Sequence, residues 1–522
     1  MRDGGGVQGD ASRIDASGND ASAGDAGDAS AQDAPVIETK NGSLRGKVVG
    51  NGVRSFLGIP YAKPPLGELR WKPPQAAESW SGTRDATQFG KRCAQVASAT
   101  LQNEASQDED CLYLNVWAPR DAEKLPVMFW IHGGGNVNGS ASEPVPFVKS
   151  GVFYDGTKLA ERDVVVVSIN YRLGVFGFFD HAALGADGAN QGLRDQRAAL
   201  AWVAENAAAF GGDPQNVTIF GESAGSYDVC AHVASPLSRG AFHKAISQSG
   251  GCTTLQTTAA EAEQQATTFA TAVGCTGDAA LTCLRGKTVA ELLAAPSDFG
   301  PNVDGAFMPE QWRALYDRGE IAKVPYILGS NTDEGTLFAQ GVTIADQASY
   351  DAALASAFAA ASAPAVAALY PASNFPNGKP NAFHAAYARA VGDARLVCTT
   401  HDAAARALAA GSKVYAYNFD IFAPIGDLGA THGAELTSVF GTSPAFAPGS
   451  PALAASEQIQ RYWTRFAKTG DPNGAPDPTW PALARDSDVR ANLALTTTTV
   501  TDFRKKECAF WSQGYAMQFA AP

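Results

Sequence analysis

The chain has 522 residues, of which 45% are hydrophobic and 18% charged, enough to bury a large core; a fibrous or wholly disordered protein is excluded. Acidic residues outnumber basic ones, 53 to 40, for a net charge of −13, and this excludes a partner won through its phosphates, nucleic acid above all. The longest apolar runs, around Val127–Ile131 and Val164–Val167, are strand-sized and well short of the roughly 18 to 20 residues that cross a bilayer.

Residues 1–35 stand apart. They hold seven Asp, two Arg and no aromatic residue, with Asp-Ala pairs recurring from Asp10 to Asp33. Such a segment cannot offset its chain entropy by burial and is predicted to be disordered. It reads either as a solvated spacer between a surface anchor and the folded body or as a tail without a role, and it lacks the apolar core of a signal peptide.

A single folded domain is predicted over residues 36–522. Extended signals at Leu44–Val49 and Val53–Phe56 open it, followed by Gly- and Pro-rich punctuation. Apolar runs then recur at Val127–Ile131, Val164–Ile169, Val217–Phe220, Ala245–Ser247, Tyr326–Leu328 and Val414–Phe419. Runs of this length, bounded by Gly, Asn or Asp, read as strands buried on both faces. Helical stretches lie between and after them, at Gln191–Phe210 and Ser456–Lys468. The Ala-rich Ala352–Leu369, also helical, sits in a long insertion between two late strands, where a cap over a site would be carried. This alternation predicts an α/β fold, a large and mostly parallel sheet with helices on both faces.

The densest chemical signal is the run Val217–Phe220, then Gly221-Glu222-Ser223-Ala224-Gly225, then a helical stretch to Ala234. A buried strand, a sharp turn and a helix follow one another with no spare residue, the setting that a G-x-S-x-G nucleophile elbow demands. Gly221 and Gly225 leave room where helix and strand pass closely, and Ser223 is lifted to the carboxyl edge of the sheet. A serine nucleophile needs a base and donors for the oxyanion that forms. Strand Val127–Ile131 runs into His132-Gly133-Gly134-Gly135-Asn136; the backbone N–H groups of Gly134 and Gly135, with that of Ala224, would make a three-donor oxyanion hole.

With these motifs stand Glu109-Asp110-Cys111-Leu112-Tyr113-Leu114-Asn115, Asn170-Tyr171-Arg172 and Gly211-Gly212-Asp213-Pro214. Together they resemble the type-B carboxylesterases, the cholinesterase-like branch of the α/β-hydrolases, and within them the bacterial para-nitrobenzyl-esterase-like enzymes. The resemblance runs from about Val36 to the segment around Cys508. It implies the α/β-hydrolase fold with cap-like helical insertions and a serine esterase that needs no metal or organic cofactor.

In that fold the acid and the base follow the serine in chain order. Strand Tyr326–Leu328 leads into Gly329-Ser330-Asn331-Thr332-Asp333-Glu334-Gly335, where two adjacent carboxylates compete; the family pattern favours Glu334 over Asp333. Of seven histidines, His132 and His181 precede the elbow, His232 and His243 flank its helix, and His384 and His401 lie in or beside Ala-rich helical stretches. Only His432 follows a late strand and has glycine beside it, and it matches the family's catalytic histidine. The resemblance therefore implies a triad of Ser223, Glu334 and His432, with Glu222 and Ser249 as polar neighbours. An unperturbed imidazole base predicts activity rising with pH through about 6 to 7.

The resemblance also implies the disulfides Cys93–Cys111, Cys275–Cys283 and Cys398–Cys508, hence an oxidising compartment: a secreted, periplasmic or surface-attached protein. Cys230 and Cys252 remain open between buried thiols and a fourth bridge. The loop between Cys93 and Cys111 contains no Trp, Tyr or Phe, so the aromatic face that would hold a choline cation is missing. Short or medium acyl esters, aryl esters or ester-linked polymers are the expected substrates. Two other readings are an acyl hydrolase of another class, acting on amides, urethanes or thioesters, and a binding module that has lost a triad member; nothing in the sequence sets an oligomeric state.

Overall fold

The computed structural model describes residues 34–98, 103–146, 151–422 and 427–513. The chain divides into Met1–Ala34 and Pro35–Pro522; apart from Ala34 and Pro35, the Asp-rich segment lies outside the described residues.

Among the described residues eleven strands build one sheet. In chain order they are β1 (Lys47–Val49), β2 (Val53–Pro60), β3 (Tyr113–Pro119), β4 (Leu125–Ile131), β5 (Val165–Ile169), β6 (Gly212–Glu222), β7 (Lys244–Gln248), β8 (Tyr326–Asn331), β9 (Val414–Phe419), β10 (Val489–Leu493) and β11 (Thr498–Thr501). Across the sheet the order is β11-β10-β9-β8-β7-β6-β4-β5-β3-β2-β1. The pairings from β10 to β5 are parallel, and those at the two margins are antiparallel. The predicted mostly parallel sheet is present, and the apolar runs form its centre, several of them longer than predicted because polar residues continue the ladder at their ends.

Period-two alternation distributes side chains between two cores. Val127, Phe129 and Ile131 of β4 enter one with Val217 and Ile219 of β6 and Tyr326 and Leu328 of β8. Met128, Trp130, Phe220 and Ile327 enter the other. Helices α1 (Gln191–Asn206), α2 (Ala224–Ala234) and α6 (Cys398–Ala410) cover the first face, and α7 (Pro451–Thr469) covers the second with Ile459, Tyr462, Trp463 and Phe466, the i, i+3, i+4, i+7 stripe of an amphipathic helix. Between β8 and β9 the insertion carries α3 (Gln347–Ala357), α4 (Ala363–Leu369) and α5 (Ala382–Gly392) around a core of its own that includes Tyr350, Leu354, Val366, Tyr370 and Trp511.

Three predicted elements differ. The alanine-rich Ala352–Leu369 is not one helix: α3 ends at Ala357 and α4 restarts at Ala363 with Pro364 in its first turn, because proline in a helix interior would remove a hydrogen bond and clash with the preceding turn. Leu44–Val49 splits at Gly46 into Gly42–Arg45, part of a separate three-stranded sheet, and β1; a Cβ at Gly46 would stand within 2.4 Å of the Ser55 carbonyl oxygen. Helix α7 begins five residues before the predicted Ser456, since Ser450 accepts from Leu453 N–H and Pro451 occupies the first turn.

Cys93–Cys111, Cys275–Cys283 and Cys398–Cys508 are disulfides, and Cys230–Cys252 is a fourth, its Cα atoms 5.3 Å apart. It joins α2 to the segment after β7. Among the described residues no helix is long and apolar enough to cross a membrane.

Candidate active site

The parallel register sets the carboxyl ends of four strands at one edge. Ile131 stands opposite Gly221, Glu222 opposite Gln248, and Gln248 opposite Gly329. Each strand therefore delivers its following loop to the same place.

At the end of β6, Ser223 has φ 54° and ψ −123°, and α2 begins at the next residue. This left-handed turn costs free energy in a residue with a Cβ. It is held by hydrogen bonds: Ser223 N–H donates to Gln248 O at 3.0 Å, and Ser223 O accepts from Ser226 and Tyr227. A Cβ on Gly225 would meet Ile131 O at 2.1 Å and one on Gly221 would meet Gly225 O at 2.4 Å, so both flanking glycines are required by close approach of strand, helix and β4.

The glycine loop after β4 lies against this elbow; a Cβ on Gly133 would stand 3.1 Å from Ser223 Cβ. Gly134 and Gly135 have φ of 107° and 66°. Among the described residues, nothing accepts a hydrogen bond from the N–H groups of Gly134, Gly135 or Ala224. The loop is braced from the Cys93–Cys111 segment, where Gln95 exchanges hydrogen bonds with Gly139 N–H and O, and Asn103 donates to Asn138 Oδ1. His132, buried, turns its Nδ1 to Gly133 O and stacks on Tyr171, which is a shaping contact within the loop.

Glu334, 1% exposed, accepts from Asn331 N–H at 2.7 Å through Oε1 and meets His432 Nδ1 at 2.7 Å through Oε2. Its rival Asp333 turns away, to Arg389 and the N–H of Ala430. The structure thus joins His432 to Glu334 across 98 residues. His432 Nε2 makes no hydrogen bond to described residues and lies 3.2 Å from Glu222 Oε1. Phe338 packs on the same imidazole, ring centres 5.1 Å apart. The remaining histidines lie elsewhere: His181 accepts from Ala183 N–H, His232 is buried between Gln196 and Ser238, His243 accepts from Val217 N–H, His384 faces Ala339 O, and His401 faces Arg490. Ser249 is buried, with its hydroxyl bonded to none of the described residues; it is not brought to Ser223, Glu334 or His432 by a hydrogen bond.

A third carboxylate, Glu435, to which sequence reasoning assigned no part, completes the surroundings. It accepts from Asn331 Nδ2 at 2.7 Å and Gln248 Nε2 at 3.1 Å. Asn331 also donates to Thr431 O. One amide side chain therefore spans the acid loop and the histidine loop, and a second reaches from the strand whose carbonyl holds Ser223. The only signal in sequence was the position of Glu435, three residues after His432.

Burial raises the carboxyl of Glu222 to about 8, with Glu435 and Glu334 adding to the rise and His432 opposing it. Burial on its own would lower His432, but Glu222, Glu334 and Glu435 outweigh it and push the imidazole up to about 9. If His432 is the base, the rise in activity expected through about 6 to 7 moves to higher pH. Among the described residues no three His, Cys, Asp or Glu side chains converge as metal ligands would.

The carboxylesterase family pattern matches residues 33–511. The chain is 38% identical to a medium-chain fatty acyl-CoA hydrolase precursor of Anas platyrhynchos over 92% of each chain. It is 36% identical to a cocaine esterase of Homo sapiens over 87% of each. A serine elbow at the edge of an α/β sheet, a match along nearly the whole folded body and these relatives lead to one conclusion: the chain belongs to the carboxylesterase family and is a carboxylic ester hydrolase.

Proposed function

We propose that Ser223, His432 and Glu334 act as nucleophile, base and orienting acid, and that the N–H groups of Gly134, Gly135 and Ala224 receive the oxyanion. The observation that carries the reading is the Glu334–His432 hydrogen bond, which leaves His432 Nε2 without a hydrogen-bond partner among the described residues, beside the residue that precedes Ser223. Ser223 Oγ attacks the acyl carbon while its proton passes to His432 Nε2; the imidazolium then gives that proton to the departing alcohol. Water, deprotonated by the same nitrogen, releases the acid from the acyl-enzyme and restores Ser223.

The substrates are short or medium acyl esters or aryl esters, in the manner of bacterial para-nitrobenzyl-type esterases. A choline-ester specialist is set aside, because the Cys93–Cys111 segment lacks an aromatic residue and gives its Gln95 and Asn103 to bracing the glycine loop. Thioesters are the second reading, favoured by the relative whose name is fatty acyl-CoA hydrolase. Four disulfides support an oxidising location, secreted, periplasmic or surface-attached.

The test is hydrolysis of p-nitrophenyl esters from acetate to dodecanoate by the protein and by Ser223→Ala. Activity in the parent that is lost in the variant upholds the assignment, and the preferred chain length sizes the acyl site. A variant as active as the parent would refute it.

A further inference from the structure

An oxyanion hole drawn from two chain segments works only if the two are held at a fixed separation. Here Gly134 and Gly135 stand on the loop after β4 and Ala224 on the first turn of α2. A side-chain bond ties these segments directly: Asn136 Nδ2 donates to Asp228 Oδ1 at 3.1 Å across 92 residues. Asn136 follows Gly135 immediately; Asp228 stands four residues after Ala224, one turn along the same helix face.

Both ends of this bond are locked. Asn136 is 4% exposed and left-handed, with φ 60°, a conformation asparagine tolerates better than most residues. The Tyr171 hydroxyl, which donates to His132 O at 2.8 Å, also reaches the Asn136 Oδ1 at 3.1 Å, and the Asn136 carbonyl accepts from Gly174 N–H at 2.7 Å. Asp228 has no exposed surface, and its second oxygen accepts from Gln196 Nε2 at 2.6 Å. Gln196 in turn faces His232, and His232 faces Ser238. The carboxylate is thus surrounded by neutral donors. A buried carboxylate without a cation is costly, and burial pushes it up to about 7 against the hydrogen bonds of Gln196, Asn136 and Tyr171. Both neighbouring amides present N–H to it, so the anion fits this site and the neutral acid would set a proton against a donor.

We propose that Asp228, acting through Asn136, is a positioning residue that sets the glycine loop against the nucleophile helix and so aligns the donors of the oxyanion hole. The proposal rests on the serine-hydrolase reading above. Its partners also specify a swap. With Asn136→Asp and Asp228→Asn together, the carboxylate placed on the glycine loop can accept from Tyr171 and from the amide placed on the helix. The oxygen of that amide accepts from Gln196, and every hydrogen bond is regained with the charge moved to the other end of the bond.

The experiment compares the parent, Asp228→Asn, Asn136→Gly and the double swap on one p-nitrophenyl ester, with Ser223→Ala as the inactive control. Asn136→Gly removes the bond while suiting the left-handed backbone, so its fold is kept even if Asp228→Asn alone is poorly tolerated. Expected are falls in kcat of about 10- to 100-fold in both single variants with KM changed by less than about threefold, and recovery to within about threefold of the parent in the swap. Unchanged kcat in Asn136→Gly, or a swap no better than Asp228→Asn, overturns the positioning role. If the parent is active and Ser223→Ala is not, such a result leaves the triad reading standing; a parent without acyl-hydrolase activity overturns both.

Discussion

Glu222→Gln is the substitution that most directly separates the electrostatics of this site from its shape. The carboxylate lies 3.2 Å from His432 Nε2 with both side chains 6% exposed. At an effective dielectric of about 20, a full charge at that distance is worth about 5 kcal/mol, which would move an imidazole by more than about 3 pH units. Glu222 does not carry a full charge over the working range, because burial raises it to about 8 and its charge fades below that pH. The expected displacement is therefore a fraction of the full value, about 1 to 2 pH units. The assay is kcat/KM for a p-nitrophenyl ester from pH 5 to 10, corrected for spontaneous hydrolysis. The parent's acid limb should have its midpoint well above 6.5, toward the value of about 9 to which His432 is pushed, and Glu222→Gln should bring it down while lowering the plateau, since one carboxylate fewer stabilises the imidazolium. Stability gives an independent sign. A glutamate raised from 4.5 to about 8 in the fold favours the folded state fully below the lower value and loses that contribution as pH rises through the upper one. The variant should therefore lose less thermal stability than the parent between pH 5 and 8. Superimposable acid limbs, or a limb moved upward, would refute the reasoning.

Gly134→Ala should cost more than 100-fold in kcat, roughly the loss of an oxyanion donor, because Gly134 has φ 107° and an added Cβ would meet Asn138 O at 2.2 Å; circular dichroism should show the fold retained, and a loss below tenfold would contradict the loop's assignment. Asp195→Asn should lower unfolding stability by about 3 to 5 kcal/mol, seen as a lower urea midpoint, since Asp195 pairs both oxygens with the buried Arg172 at 2.7 Å. Removing Cys398–Cys508, which spans 110 residues, should destabilise by up to about 5 kcal/mol, and removing Cys275–Cys283, which spans 8, by about 2 to 3 kcal/mol; equal losses would show that chain entropy is not what the long bridge supplies.

What was legible in the sequence was whatever is encoded locally. The strand, turn and helix around Ser223 occupy one continuous stretch, and the glycine triplet follows β4 without a gap, so periodicity and turn chemistry sufficed to find them. Glu334 and His432 were narrowed by chain order and by resemblance, and the fold added what neither could: Asp333 is drawn off by Arg389 and Ala430, while the Asn331 N–H holds Glu334. The polar partners were not legible. Asn136 and Asp228 are 92 residues apart and Asn331 and Glu435 are 104; a buried amide or carboxylate leaves the hydrophobic period unchanged, so nothing in the pattern points to its partner. Cys230 and Cys252 were open for the same reason, since a spacing of 22 carries no pairing information until β7 and α2 are side by side. Pro364 is a local signal of the other kind: it stands inside the alanine run, and it decides where that helix must restart.

The arrangement of carboxylates also bears on the role proposed for the imidazole. Glu334, Glu222 and Glu435 all act on His432, yet of the three only Glu334 makes a hydrogen bond to it. Glu435 is instead tied to Asn331 and Gln248, which fix the loops of the acid and the serine. None of the three contacts Arg or Lys among the described residues, so a protonated His432 is the cation within their reach, and that is the state the proposed mechanism forms when Ser223 gives up its proton. That stabilisation has a consequence at rest. These carboxylates raise the imidazole, so a larger share of it is held protonated in neutral solution than of a free histidine. If His432 is the base, activity should therefore go on rising with pH beyond the inflection of a free histidine, and a profile already level by about pH 7 would contradict that role.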